Sequence, residues 1–317
     1  VSRLRVYTHP ACIAHDPGEG HPERPERLGA VIQALRDGMP DVDWHEAPAA
    51  GRGELLRVHS EALLRTVLDS KITGPMRLDP DTLLSPQSPE AALRAAGSGV
   101  AAVDAVMSGD VPVAFCAVRP PGHHATGGEA MGFCLFNNVS VAAAHALDRY
   151  GLTRVAVVDF DVHHGNGTQA IFADEPRVMY LSTHQDALFP GTGTRAERGV
   201  GNLVNVPLPA GTGSAGFRDT WETRLLPELD GFAPQLLLIS AGFDAHWRDP
   251  LAQFQLDGAD FGWLTRELRA IAGRHASGRI VSTLEGGYDL RALQEGCLAH
   301  ARALVGLPEE AGAGADR

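Results

Sequence analysis

The chain has 317 residues, enough for one large α/β domain or two small ones, and its 44% hydrophobic and 21% charged content excludes a disordered or fibrous class. Twenty-seven Lys and Arg against 39 Asp and Glu give a formal charge of −12, which argues against nonspecific nucleic-acid binding and suits a cationic partner such as a polyamine or a lysine-rich peptide. The four cysteines, Cys12, Cys116, Cys134 and Cys297, form no CxxC pair and read as reduced thiols.

The first residues lack the apolar core of a signal peptide, and no apolar stretch approaches the ~20 residues of a membrane span. A cytoplasmic location with neither membrane nor nucleic-acid partner is the expectation. Short apolar runs at 5–8, 111–118, 155–160, 178–183, 203–206, 236–240 and 280–284 alternate with amphipathic or Ala-rich segments. These segments lie at 25–36, 53–69, 89–107, 139–150, 217–229, 259–275 and 290–304. Runs that are apolar throughout fit parallel strands covered on both faces. The alternation predicts a doubly wound α/β fold, one domain over 1–305, with a frayed tail at 306–317.

The informative polar residues sit just after strands. Arg119, Pro120, Pro121, Gly122, His123 and His124 follow the run ending at Val118. Asp159 to Thr168 (DFDVHHGNGT) closes the next, and is read as a polar turn. Ser240 to His246 and Leu284 to Tyr288 end two more. Four strand exits carrying Gly beside His, Asp or Tyr describe a convergent active site.

Strand alternation puts Asp159, Asp161 and His163 on one face. Asp161 and His163 can reach one ion, with Asp244 as the natural third ligand from another strand end. A catalytic zinc takes about three protein ligands and keeps a position open. An Asp-x-Asp-x-His stretch is also found in plain turns, and calcium fits poorly. An EF-hand loop needs Gly sixth and Glu twelfth, where His164 and Ala170 stand.

His123 and His124 are adjacent, so their side chains diverge and suit proton transfer better than joint ligation. Asp159 and Asn166 could orient them. Tyr288 follows two glycines and could donate to a developing oxyanion, although a lone tyrosine is more often half-buried structure. The run Gly211 to Gly216 formally matches GxGxxG, but Pro207 and Pro209 separate it from a strand, and it reads as a turn.

Taken together, these blocks resemble the histone deacetylase superfamily on its bacterial class-II-like side, which includes histone deacetylase-like amidohydrolases and acetylpolyamine amidohydrolases. The resemblance runs from HPERPERL (His21 to Leu28) through GFCLFNN (Gly132 to Asn138) to LEGGY (Leu284 to Tyr288). It implies the arginase-deacetylase fold and zinc-dependent removal of acetyl or other acyl groups from N-ε-acyl-lysine by metal-activated water. Ferrous iron is the alternative ion.

By the same resemblance, Asp161, His163 and Asp244 match the zinc ligands. His123, His124, Asp159 and Asn166 match the tandem histidines and their partners, and Tyr288 the catalytic tyrosine. Phe133 and Phe189, with Gly132 and Leu251, match the substrate tunnel. Asp159, Asp161, His163, Ser182 and Thr183 match a structural potassium site, and Arg27 the arginine of an internal cavity.

Two residues depart from the pattern. Asn166 stands where many class-I members have Asp. Leu251 stands where a polyamine-selective relative has glutamate, although rim acids such as Asp79 and Asp81 could still bind amines. The implied partner is an acylated lysine peptide or protein, or an acylated polyamine, and a homo-oligomer is compatible with the sequence. Other readings are an acetylpolyamine amidohydrolase, a ureohydrolase with two manganese ions, and a non-enzymatic acyl-lysine reader.

Overall fold

A computed structural model describes residues 3–308. Among the described residues ten strands are formed: β1 Leu4–Thr8, β2 Asp43–Glu46, β3 Met76–Arg77, β4 Leu83–Leu84, β5 Val113–Cys116, β6 Val155–Asp159, β7 Val178–Gln185, β8 Leu203–Leu208, β9 Leu236–Ala241 and β10 Ile280–Leu284. Eight of them make one sheet in the order β2-β1-β5-β10-β9-β6-β7-β8, with every pairing parallel. Among the described strands, β3 and β4 form a separate small antiparallel hairpin.

The apolar runs behave as two-sided burial requires. Every residue of β5, β6, β7, β9 and β10 is buried. The edge strand β2, reading Asp-Trp-His-Glu, is only half-buried; with no apolar run to mark it, the sequence pattern passed over it. At the other edge β8 accommodates Pro207, because one side of that strand has no ladder to complete.

Helices cover both faces. Ser88–Ser108 packs against Asn138–Tyr150, and Leu290–Leu304 packs between Glu26–Gly38 and Gly258–His275. The segment expected as one helix at 53–69 is broken into Arg52–Leu55, Glu61–Leu64 and a wider π-type turn, Arg65–Asp69. Ser60 starts the second piece by accepting from the Leu63 amide. Gly211 does lie in a turn, with φ +81°, and the helix Ser214–Thr220 follows it.

Topology fixes the site. From β5 the chain crosses to β6, runs outward through β7 and β8, then returns with β9 and β10 to fill the gap. The carboxyl ends of β5, β10, β9 and β6 are therefore four neighbours at a switch point, where α/β sheets bind ligands. Among the described residues no helix is long and apolar enough to cross a membrane. All four cysteines are free and buried. Of the tail expected at 306–317, residues 309–317 lie outside the described residues.

Candidate active site

The strand β6 stops at Asp159, so Asp161 and His163 are placed by a bend rather than by strand alternation. The cause is local: Asp161 Oδ1 accepts the His163 amide at 2.9 Å, folding the chain back on itself. Asp159 consequently faces a different group from the other two. The stretch read as a polar turn also yields a short helix, Asn166–Phe172.

Asp161, His163 and Asp244 converge, each buried, with one candidate ligand atom apiece inside a 4.8 Å spread. His163 Nδ1 lies 3.1 Å from both Asp161 Oδ1 and Asp244 Oδ2. The other carboxylate oxygens are tied down by backbone donors: Gly286 N–H to Asp161 Oδ2 at 2.8 Å and Val162 N–H to Asp244 Oδ1 at 2.9 Å. Such anchoring orients ligands toward one point. A Cβ at Gly286 would stand 2.0 Å from Asp244 Oδ2, so only glycine allows this approach.

The cluster calls for positive charge. Burial and the neighbouring Asp161 push Asp244 up to about 7. Burial opposes charge on His163 as well, yet its bonds to Asp161 and Asp244 outweigh that and raise it to about 10. Two carboxylates and one imidazole in this arrangement form a donor set that fits a small divalent ion.

The tandem histidines sit beside this cluster with ring centroids 4.0 Å apart. His123 Nδ1 meets Asp159 Oδ2 at 2.9 Å, and that oxygen also accepts the Tyr180 hydroxyl at 3.0 Å. Burial works against the His123 charge, but Asp159 and Asp161 overcome it and hold this ring well above its ordinary pKa. His124 Nδ1 meets only the neutral Asn166 Oδ1, at 2.8 Å. Burial, helped by the neighbouring His123 and His163, holds His124 well below its ordinary value. Two adjacent imidazoles are thereby driven to opposite protonation states.

Tyr288 is held from both sides of one peptide bond. Arg27 Nε donates to the Gly287 carbonyl at 2.5 Å, and the Tyr288 amide donates to Asp249 Oδ2 at 2.7 Å. The Arg27 guanidinium also lies 4.8 Å from the Tyr288 ring centroid. Burial outweighs that cation and keeps the phenol protonated, well above its usual range.

The expected tunnel residues line up less uniformly. Phe133 meets the Tyr288 ring edge-on at 5.8 Å, and Phe189 meets His124 at 5.1 Å. Gly132, at φ +55°, lies between, where a Cβ would come within 2.6 Å of His124 and 2.9 Å of Phe189. Leu251 is tied to the site through Asp249, whose Oδ1 accepts its amide at 2.9 Å.

Asp159 and Ser182 are register partners across β6 and β7. The Ser182 hydroxyl, however, bonds His184 Nδ1, and Thr183 Oγ1 accepts from Trp221. His164 turns away from the cluster, to Thr192 Oγ1 at 2.7 Å and Gln169 Oε1 at 3.0 Å.

A histone deacetylase domain profile matches residues 21–304. The chain belongs to the histone deacetylase family. It is 36% identical, over 95% of its length and 76% of the relative's, to "Histone deacetylase 14, chloroplastic" of Arabidopsis thaliana. The "Histone deacetylase-like amidohydrolase" of Pseudomonas aeruginosa is 42% identical over 85% of this chain and 73% of its own. Human "Polyamine deacetylase HDAC10" is 39% identical over 90% of this chain and 45% of its own. Among solved structures, an HDA15 HD domain superposes with a TM-score of 0.91 at 34% identity, covering 96% of this chain and 89% of that one. The fold is that of the arginases and deacetylases, and the protein is a hydrolase of the deacetylase family.

Three residues around this candidate site have a role that the sequence blocks did not assign. Tyr180 supports Asp159 and also accepts the Gly165 amide at 3.0 Å; within the apolar strand β7 its hydroxyl was the only signal. Glu285 Oε2 accepts the amides of Gly122 and His123 at 2.7 and 3.1 Å, fixing the histidine loop on the neighbouring strand. Burial pushes it up to about 7 against the pull of His123. Asp249 carried a signal that could have been used: an acid set directly before a proline beside the Asp244 block.

Proposed function

We propose that this hydrolase removes acetyl or related acyl groups from N-ε-acyl-lysine side chains, with zinc, or alternatively ferrous iron, held by Asp161, His163 and Asp244. The observation that carries the reading is the Asp-His-Asp convergence beside two imidazoles of opposite charge preference. When bound, the divalent ion supplies Lewis acidity that polarises the amide carbonyl and makes water a stronger acid.

The chain's own groups do the rest. With its Nδ1 proton donated to Asn166, His124 presents an Nε2 lone pair, which takes the proton of the attacking water. His123, kept charged by Asp159, supplies positive potential beside the developing oxyanion. The Tyr288 hydroxyl, protonated at neutral pH, donates to that oxygen. As the C–N bond breaks, His124 returns its proton to the leaving amine. Water has then added its oxygen to the acyl carbon, and a carboxylic acid and a free amine are released.

Phe133 and Phe189 form apolar walls for the acyl-lysine stem. The acylated amine is neutral, so its burial avoids the cost of desolvating an ammonium. A structural potassium near the Asp159–Ser182 pairing, and a cytoplasmic location, belong to the same reading.

A second reading, hydrolysis of acetylated polyamines, is supported by the 39% identity to a polyamine deacetylase. Leu251 offers no charge to a distal ammonium and weighs against it. Turnover of acetyl-lysine peptides, longer acyl-lysines and acetylputrescine by metal-quantified enzyme decides between them. Preference for acetylputrescine by orders of magnitude would overturn the first choice.

A further inference from the structure

We infer that Asp249 is a positioning residue for Tyr288, coupling the Leu251 loop of the tunnel wall to the catalytic hydroxyl; this rests on the role proposed for Tyr288. Asp249 is 6% exposed, and each of its two oxygens is committed to a different element. Oδ1 accepts the Leu251 amide within its own loop at 2.9 Å, and Oδ2 accepts the Tyr288 amide beyond β10 at 2.7 Å. Among the described residues no side-chain cation hydrogen-bonds to it, and Arg27 and His163 act on it only through space. Its two observed partners are backbone donors, the arrangement of a carboxylate used to set geometry rather than to balance a charge.

The peptide it holds needs holding. Gly287 has φ +119°, a conformation that nothing but glycine adopts readily, so the Gly287–Tyr288 plane has little intrinsic preference to keep it in place. Arg27 grips the carbonyl of that plane and Asp249 grips its N–H. With both ends fixed, the plane cannot rotate, and the Cα–Cβ vector of Tyr288 is set. Releasing one end lets the phenol swing by fractions of an ångström, which matters for a donor that must meet a developing charge. Because the same carboxylate fixes Leu251, any substrate that displaces that wall also disturbs Tyr288.

The test is a double-mutant cycle on the acetylated substrate that wild type turns over fastest, with metal content measured for every variant. Asp249→Asn replaces one acceptor by a donor and should lower kcat by about 10–100-fold with KM and bound metal little changed. In a Tyr288→Phe background the same change should cost less than about twofold, because the hydroxyl it positions is gone. Asp249→Glu, which keeps both acceptor oxygens, should recover part of kcat and serves equally if the Asn variant does not fold. An equal loss in both backgrounds, or an unchanged kcat in Asp249→Asn, overturns the inference while leaving the role of Tyr288 standing. An unimpaired Tyr288→Phe enzyme removes both.

Discussion

His124 Nδ1 lies 2.8 Å from Asn166 Oδ1, whereas the adjacent His123 is paired with a carboxylate. Burial, helped by the neighbouring His123 and His163, holds the His124 pKa well below its ordinary value, and the bond to a neutral amide offsets this only in part. Asn166→Asp would place a negative charge at that nitrogen and favour the protonated ring, raising its pKa. A base works only when deprotonated, so the acid limb of the kcat/KM–pH profile should move to higher pH. A limb that stays where it was would show that His124 is not the base.

Tyr288→Phe removes a donor and leaves the three candidate ligands untouched. Metal content should match wild type, KM should change little, and kcat should fall by about 10²–10³-fold, the usual loss for one oxyanion donor. Full turnover by this variant would exclude the phenol from the reaction.

Gly286→Ala puts a methyl group 2.0 Å from Asp244 Oδ2 and 2.6 Å from Asp161 Oδ2. Both carboxylates must shift, so the variant should lose most of its metal on dialysis while staying folded. Gly273→Ala, in a helix with nothing within 4 Å of the added atom, is the matched control and should retain metal. Equal metal content in the two would refute the anchoring role of the β10 exit.

His300 tests burial away from the site. Its nitrogens meet Thr265 Oγ1 at 2.6 Å and Ser282 Oγ at 2.8 Å, and burial depresses its pKa to about 3. In the unfolded chain this ring takes a proton below ~6.5, while the folded ring stays neutral. The stability it contributes is therefore complete above ~6.5 and is lost as pH falls from there toward about 3. His300→Gln should be less stable than wild type at pH 7, and the gap should narrow by about 2 kcal/mol by pH 5. Urea midpoints at the two pH values give the answer; a constant gap would mean the ring is not held neutral.

The central strands were legible because they are apolar on both faces, and the four strand exits because Gly, His, Asp and Tyr stand where such runs stop. Asp161, His163 and Asp244 meet as the pattern suggested, though a bend after Asp159 brings them together. What stayed hidden depends on contacts distant in sequence. Tyr180 looks like any strand aromatic until Asp159 is seen beneath its hydroxyl. Glu285 works by accepting backbone amides, which no spacing rule records, and the acid before Pro250 does not by itself reveal that Asp249 accepts the Tyr288 amide. The edge strand β2 was invisible because edge strands need no apolar run.

The most direct test of the account is metal removal and return, read on an acetyl-lysine peptide. Chelated protein should lose turnover, and activity should return in proportion to bound zinc up to a single ion per chain, with Asp244→Ala neither binding the ion nor recovering. Undiminished hydrolysis by metal-free protein, or an Asp244→Ala variant that stays fully loaded and active, would contradict it.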